Sequence, residues 1–216
     1  ARTLRVVPAD SEIRSLLKDR QKSNLAKYKW LTLGDGTFGA FLYFEFLTMV
    51  LQGMRGAAGI FLRQKLFPRT FRRCGTGLVV GRNVVLRHPC RIVLGDNVVI
   101  DDNVVIDAKG DQPVTIEIGS NSIIGRNSAL VCKGGRIQVD RDVNISVNCT
   151  VISESHVSIG EKSLVAGHCY IIGGGNHGSE MDGTPFVDQT RIDKGGVVIN
   201  ENCWVGANAT VLDGTT

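Results

Sequence analysis

From Ile118 to Leu130 the chain reads IGSNSIIGRNSAL, and from Ile159 to Ile171 it reads IGEKSLVAGHCYI. In both stretches an aliphatic residue returns at every sixth position, followed one place later by Gly or Ala and four places later by Ser or Cys. Working outward, the count extends back through Val80, Leu86 and Ile92, slips by two, and resumes at Leu94, Ile100 and Ile106. It also runs through Val139, Ile145, Val151 and Val157, and closes with Ile199, Val205 and Val211. A short fixed period of this kind marks a solenoid. Neither a 3.6-residue helix nor strand alternation returns an apolar residue at every sixth place. A three-sided coil does, with six residues per side and one aliphatic turned inward on each. The expected fold is therefore mainly β, a parallel solenoid, with the small residue of the fifth place set against a tight corner. Each buried aliphatic contributes roughly 1.5–3 kcal/mol, but a single coil has no partner for its face, so several must stack.

The charge divides the chain in two. Residues 1–73 carry 14 Lys/Arg against 5 Asp/Glu, and residues 74–216 carry 11 against 16, giving the net +4 of the whole. The expected organisation is a basic, aromatic-rich helical segment over 1–73 and a mildly acidic solenoid over 74–216. The six cysteines form no C-x-x-C pair. Cys90, Cys149, Cys169 and Cys203 occupy the small fifth slot of the repeat, which reads as buried filler kept reduced in a cytosol. The N-terminus is polar and charged and shows no secretory signal.

Residues 9–30 read as a polar helix, broken by Gly34-Asp35-Gly36. Thr37–Leu51 is almost wholly apolar, with Glu45 its only charge, and is too short for the roughly 20 residues needed to span a bilayer. Beyond the glycines at 53, 56 and 59, Ile60–Arg73 interleaves Phe61, Phe67 and Phe71 with Arg63, Lys65, Arg69, Arg72 and Arg73. That mixture over 37–73 suits helices lying in an anionic membrane interface better than a nucleic-acid arm. Capping of the solenoid or packing between subunits is the other reading.

The repeats resemble those of the hexapeptide-repeat acyltransferases, whose fold is a left-handed parallel β-helix; the hand comes from the resemblance, since the period does not set it. A solenoid is a scaffold, so chemistry belongs where the repeat breaks. The shorter break, 107–117, reads as a surface loop, and the longer, 173–198, as an extruded functional loop. In the galactoside, maltose and polysaccharide O-acetyltransferases of this superfamily a histidine just before such a loop is the general base. His177, in Gly174-Gly175-Asn176-His177, matches that place, with Glu180 or Asp182 to orient its ring. Asn202-Cys203-Trp204-Val205-Gly206-Ala207 resembles a block that lines the acetyl-coenzyme A groove, which implies Trp204, Gly206 and Ala207 as cofactor-side residues. The stretch Ser146–Glu154 is similar to a segment that contacts the sugar. Ser146 stands at the family's Asn position, Asn148 lies two residues on, and Glu154 replaces the usual Asp. That departure points away from a simple galactoside or maltose acceptor.

The resemblance thus implies an acetyl-coenzyme A-dependent O-acetyltransferase acting by direct transfer on a saccharide, or on a lipid-linked precursor of a cell-surface polysaccharide. N-acetylation of an amino sugar or nucleotide sugar, and a non-catalytic scaffold, are the alternatives. The same resemblance implies a homotrimer, and the N-terminal segment implies a cytoplasmic protein peripheral on the inner face of the membrane. His88 precedes Pro89 near the solenoid's start, and His156 and His168 fall on coil sides. Three histidines on a β-helix resemble the γ-type carbonic anhydrases, but the short H-x₄-H pair of that family is missing, and no metal is expected.

Overall fold

The computed structural model describes residues 5–7, 16, 19–34, 36–110, 115–177, 185, 189 and 191–216. From Arg73 onward the chain winds through three parallel sheets of six strands each. They form the walls of a prism, visited in the order wall one, wall two, wall three by Arg73–Cys74, Val79–Val80 and Val85–Arg87, and so on to Thr210–Val211. In-register pairing turns the six-residue count into columns. Val80, Ile100, Ile124, Ile145, Val165 and Val205 align on wall two. Leu86, Ile106, Leu130, Val151, Ile171 and Val211 align on wall three. Most of these side chains are fully buried in one continuous core.

The coil is longer than three sides of six. Val80 lies beside Ile100, and Ile145 beside Val165, 20 residues on. The surplus sits in wall one, which turns two columns inward: Ile92, Ile116, Ile137, Val157 and Val197, and two residues later Leu94, Ile118, Val139, Ile159 and Ile199. This double column is the physical origin of the two-residue slip in the sequence.

The corners also differ from expectation. The crowded position is the fourth of each repeat. Asn83, Asn97, Asn103, Asn121, Asn127, Asn148, Asn202 and Asn208 all take positive φ there, joined by Asp142, Lys162 and His168. Asparagine tolerates the left-handed region better than most residues, and its amides ladder along the edge: Asn83 Nδ2 donates to Asn103 Oδ1 (3.2 Å), and Asn103 Nδ2 to Asn127 Oδ1 (3.1 Å). His168 is thus a corner residue, not one on a coil side. The fifth place points into the core and accepts valine at 84, 98, 104 and 143, so steric crowding does not select small residues there. Its serines link coils instead: Ser122 Oγ donates to the Asp140 carbonyl (2.8 Å) and accepts from the Val143 amide (3.1 Å). Cys149 and Cys169 are buried in this slot, whereas Cys90 lies exposed in a short 3₁₀ turn at Pro89–Arg91 and is no core filler.

Among the described residues three α-helices cover the first coil. The first, α1 (Asn24–Leu33), starts later than the expected 9–30 stretch and ends at Gly34 (φ 72°), whose amide donates to the Trp30 carbonyl; most of residues 9–18 lie outside the described residues. The second, α2 (Phe38–Leu51), is capped by the Thr37 hydroxyl, and α3 spans Gly56–Leu66. The expected 60–73 helix stops there because a 3₁₀ turn with Pro68 in its first residues takes over, and Arg73–Cys74 already belongs to wall one. Phe41, Phe44, Leu47 and Leu51 of α2 join Phe67 and Phe71 on Leu78 and Val80 in the core, so one face of the apolar run caps the prism. Arg63, 1% exposed, binds this cap by donating to the carbonyls of Val80, Leu51 and Met54 at 2.8–2.9 Å.

Candidate functional site

At the shorter break the coil from Ile100 to Ile124 takes 24 residues, with 111–114 outside the described residues; at Gly173 an arm leaves between walls three and one, to return at Gly196. Both glycines rest on the His156 carbonyl, where an added Cβ would come within 2.2 Å at either position. No other residue type fits this base. In the arm Asn176–His177 pairs antiparallel with Arg191–Asp193, setting His177 opposite Arg191. The other edge of Arg191–Asp193 pairs with Arg5–Val7, so the start of the chain forms the third strand of this small sheet. The backbone of His177 is thereby held in a strand. Glu180 and Asp182 lie outside the described residues.

Two carboxylates fasten the arm. Asp213, nearly buried in the last coil, accepts from Asn176 Nδ2 (2.6 Å) and the Lys194 amide (2.7 Å) through Oδ2, and from the Gly196 amide (2.7 Å) through Oδ1. One side chain therefore clasps both the outgoing and the returning strand. Glu154 accepts from Arg191 Nη1 at 2.6 Å and has Lys133 Nζ at 3.5 Å, with its own side chain 12% exposed. It ties wall three to the residue across from His177. His156, at the foot of the arm, is held below its ordinary pKa by burial and by the Arg136 guanidinium. No family model, curated protein or solved structure matches this chain. Its chemistry has to be read from this geometry.

The candidate residues fall on two edges of the prism. Glu154 and the backbone of His177 meet at the edge between walls three and one. Ser146 and Asn148 lie at the corner between walls two and three, where Asn148 Nδ2 stands 3.3 Å from His168 Nε2. Trp204 projects from wall two beside that same corner, 76% exposed, and Gly206 and Ala207 turn it. Gly206 has open space where a Cβ would be. The strand Thr150–Ser153 separates the two edges, so the six residue steps from Asn148 to Glu154 span up to about 20 Å at roughly 3.3 Å each. The chain by itself does not bring the described candidates together at one edge. Sequence reasoning missed Arg191 and Asp213; each acts through partners more than 15 residues away, and no local motif marks them.

Proposed function

We propose that this chain is an acyltransferase of the left-handed β-helix type that moves an acetyl group from acetyl-coenzyme A to a saccharide hydroxyl. The observation that carries the reading is the arm at the longer break of the repeat, bearing His177 opposite an arginine anchored by Glu154. The resemblance of Trp204, Gly206 and Ala207 to a coenzyme-lining block supports it. The division of the candidates between two edges favours a trimer, in which the arm edge of one protomer meets the Trp204 edge of the next. Glu154 is engaged by Arg191, so its role toward a saccharide is to position the arm rather than to take a sugar hydroxyl directly.

In the proposed reaction neutral His177 accepts the proton of the acceptor hydroxyl as its oxygen attacks the thioester carbonyl carbon. Backbone N–H groups hold the developing oxyanion. The C–S bond breaks, the ester forms, and the imidazolium returns its proton to the departing thiolate. Glu180 or Asp182 orients the ring. General-base assistance contributes roughly 10²–10⁴-fold, so His177→Ala is expected to lose transfer on that scale with its fold retained. The test is thiol release from acetyl-coenzyme A with saccharide acceptors, followed by mass analysis of the product. A variant that transfers at near wild-type rate removes His177 from the chemistry. Absence of any thermal shift with acetyl-coenzyme A leaves a scaffold, and product acetylated on nitrogen reassigns the acceptor to an amino sugar.

A further inference from the structure

The cap helices bury one face and leave the other bare. On α2 the inward stripe is Phe41, Phe44, Leu47 and Leu51, and the opposite stripe is Phe38, Leu42, Phe46 and Met49, the last 82% exposed. On α3, Phe61 is exposed as well, while Ile60, also exposed, lies beside the wall-two strands at Val79–Val80 and Val99–Ile100. Contiguous exposed apolar side chains on this scale mark an interaction surface. The charges of its own segment are mostly basic. Between residues 36 and 73 the charges are Glu45 against Arg55, Arg63, Lys65, Arg69, Arg72 and Arg73, and Glu45 accepts from the Tyr28 hydroxyl at 3.0 Å. Arg55, Lys65 and Arg69 are exposed, and the Lys65 ammonium stands 5.8 Å from the centre of the exposed Phe61 ring.

We infer that this face is the docking surface for an anionic lipid bilayer, with α2 and α3 lying in its interface. Among the described residues no helix is long and apolar enough to cross a membrane. Aromatic and aliphatic side chains rimmed by Lys and Arg match the headgroup boundary, where apolar burial and attraction to anionic lipid add. A second copy is the poorer occupant, because a two-fold contact on this face brings together two surfaces that both carry exposed Arg55, Lys65 and Arg69. Each basic residue near an anionic surface strengthens binding roughly fivefold, and salt weakens it. The surface points away from the prism, while the arm leaves wall three after its fifth strand. At about 4.8 Å per strand the arm stands roughly 20 Å above the first coil. The inference is independent of the acyl chemistry; taken with it, the acceptor is a saccharide carried on a lipid and extended away from it.

The experiment is sedimentation of the full chain with vesicles of phosphatidylglycerol and phosphatidylcholine, and with phosphatidylcholine alone, over a salt series. Binding to the anionic vesicles that falls steeply with salt is expected. Phe46→Glu/Met49→Glu should weaken it more than about tenfold, and Thr210→Glu, at the far end of wall three, should leave it unchanged. Failure to bind anionic vesicles at low salt overturns the inference, as does retained binding by the double variant. A double variant that lowers the molar mass in light scattering assigns the face to self-association instead. Vesicle binding is read without turnover, so its failure leaves acetyl transfer to a soluble acceptor untouched.

Discussion

Replacing Asp213 by Asn tests whether one carboxylate holds the arm. The substitution keeps the shape and changes one oxygen to an NH₂ group. If that group faces the Gly196 amide, one bond is lost; if it faces Asn176 and the Lys194 amide, two are lost. Either way a donor confronts a donor in a nearly buried place, and the remaining bonds lose their charge assistance. Hydrogen bonds to a charged group contribute about 1.5–3 kcal/mol each. The arm should therefore open about 3 kcal/mol more readily, a factor of roughly 10². Amide hydrogen exchange reads this directly: the Lys194 and Gly196 amides should exchange on the order of 100-fold faster, while amides of the prism interior such as Val165 keep their protection. On the proposed function, acetyl transfer should fall with the ordered fraction of the arm. If exchange at Lys194 and Gly196 stays within about threefold of wild type, the clasp does not hold the arm and the reasoning fails.

Other outcomes follow from the same geometry. His88 is 1% exposed, edge-on to the Trp30 ring at 5.7 Å, and its Nδ1 has no hydrogen-bond partner among the described residues. Burial and the nearby Arg91 and Lys109 charges, only partly offset by Asp107, depress its pKa to about 4. Below the unfolded value near 6.5 the unfolded chain then binds more protons, so stability is full above about pH 6.5 and falls as the pH drops towards 4, by about 3 kcal/mol. Thermal melts of His88→Phe should lose that slope; an unchanged profile would show that other groups set it. Arg63→Met removes donors from three carbonyls, two of them buried, and should cost about 3–5 kcal/mol, lowering the melting temperature, whereas Arg82→Met, at a half-exposed ion pair with Asp102, should leave it nearly unchanged. Ile145→Ala, in the wall-two column, should destabilise by about 2–5 kcal/mol in urea titration, because the coils above and below cannot collapse into the gap.

The prism was legible because inward columns leave a periodic trace: each of Ile118, Ile124 and Leu130 is one wall apart in space and six residues apart in sequence. The 20-residue coil was hidden because wall one turns in two residues, Val157 and Ile159, that a strict count treats as a slip. The left-handed corners were written in the sequence as Asn at the fourth place, a signal as regular as the aliphatics. For the site, the break at Gly173 identified the arm, since an interrupted repeat is visible locally. Arg191 and Asp213 were not legible, because their roles depend on which distant strands meet. The apolar run of α2 carried both faces in one sequence, so its capping stripe and its bare stripe separated only once the helix was set on Leu78 and Val80.

The strand Arg5–Val7 has a consequence for biogenesis. Its partner, Arg191–Asp193, is encoded 188 residues later than Arg5. At roughly 5–20 residues per second the nascent chain waits on the order of 10–40 s between making the first of these strands and the second. The coils can add one upon another as they emerge from the ribosome, but this small sheet closes only once Arg191–Asp193 has been made. A truncated or stalled product would thus stack its early coils with the arm absent and Arg5–Val7 unpaired.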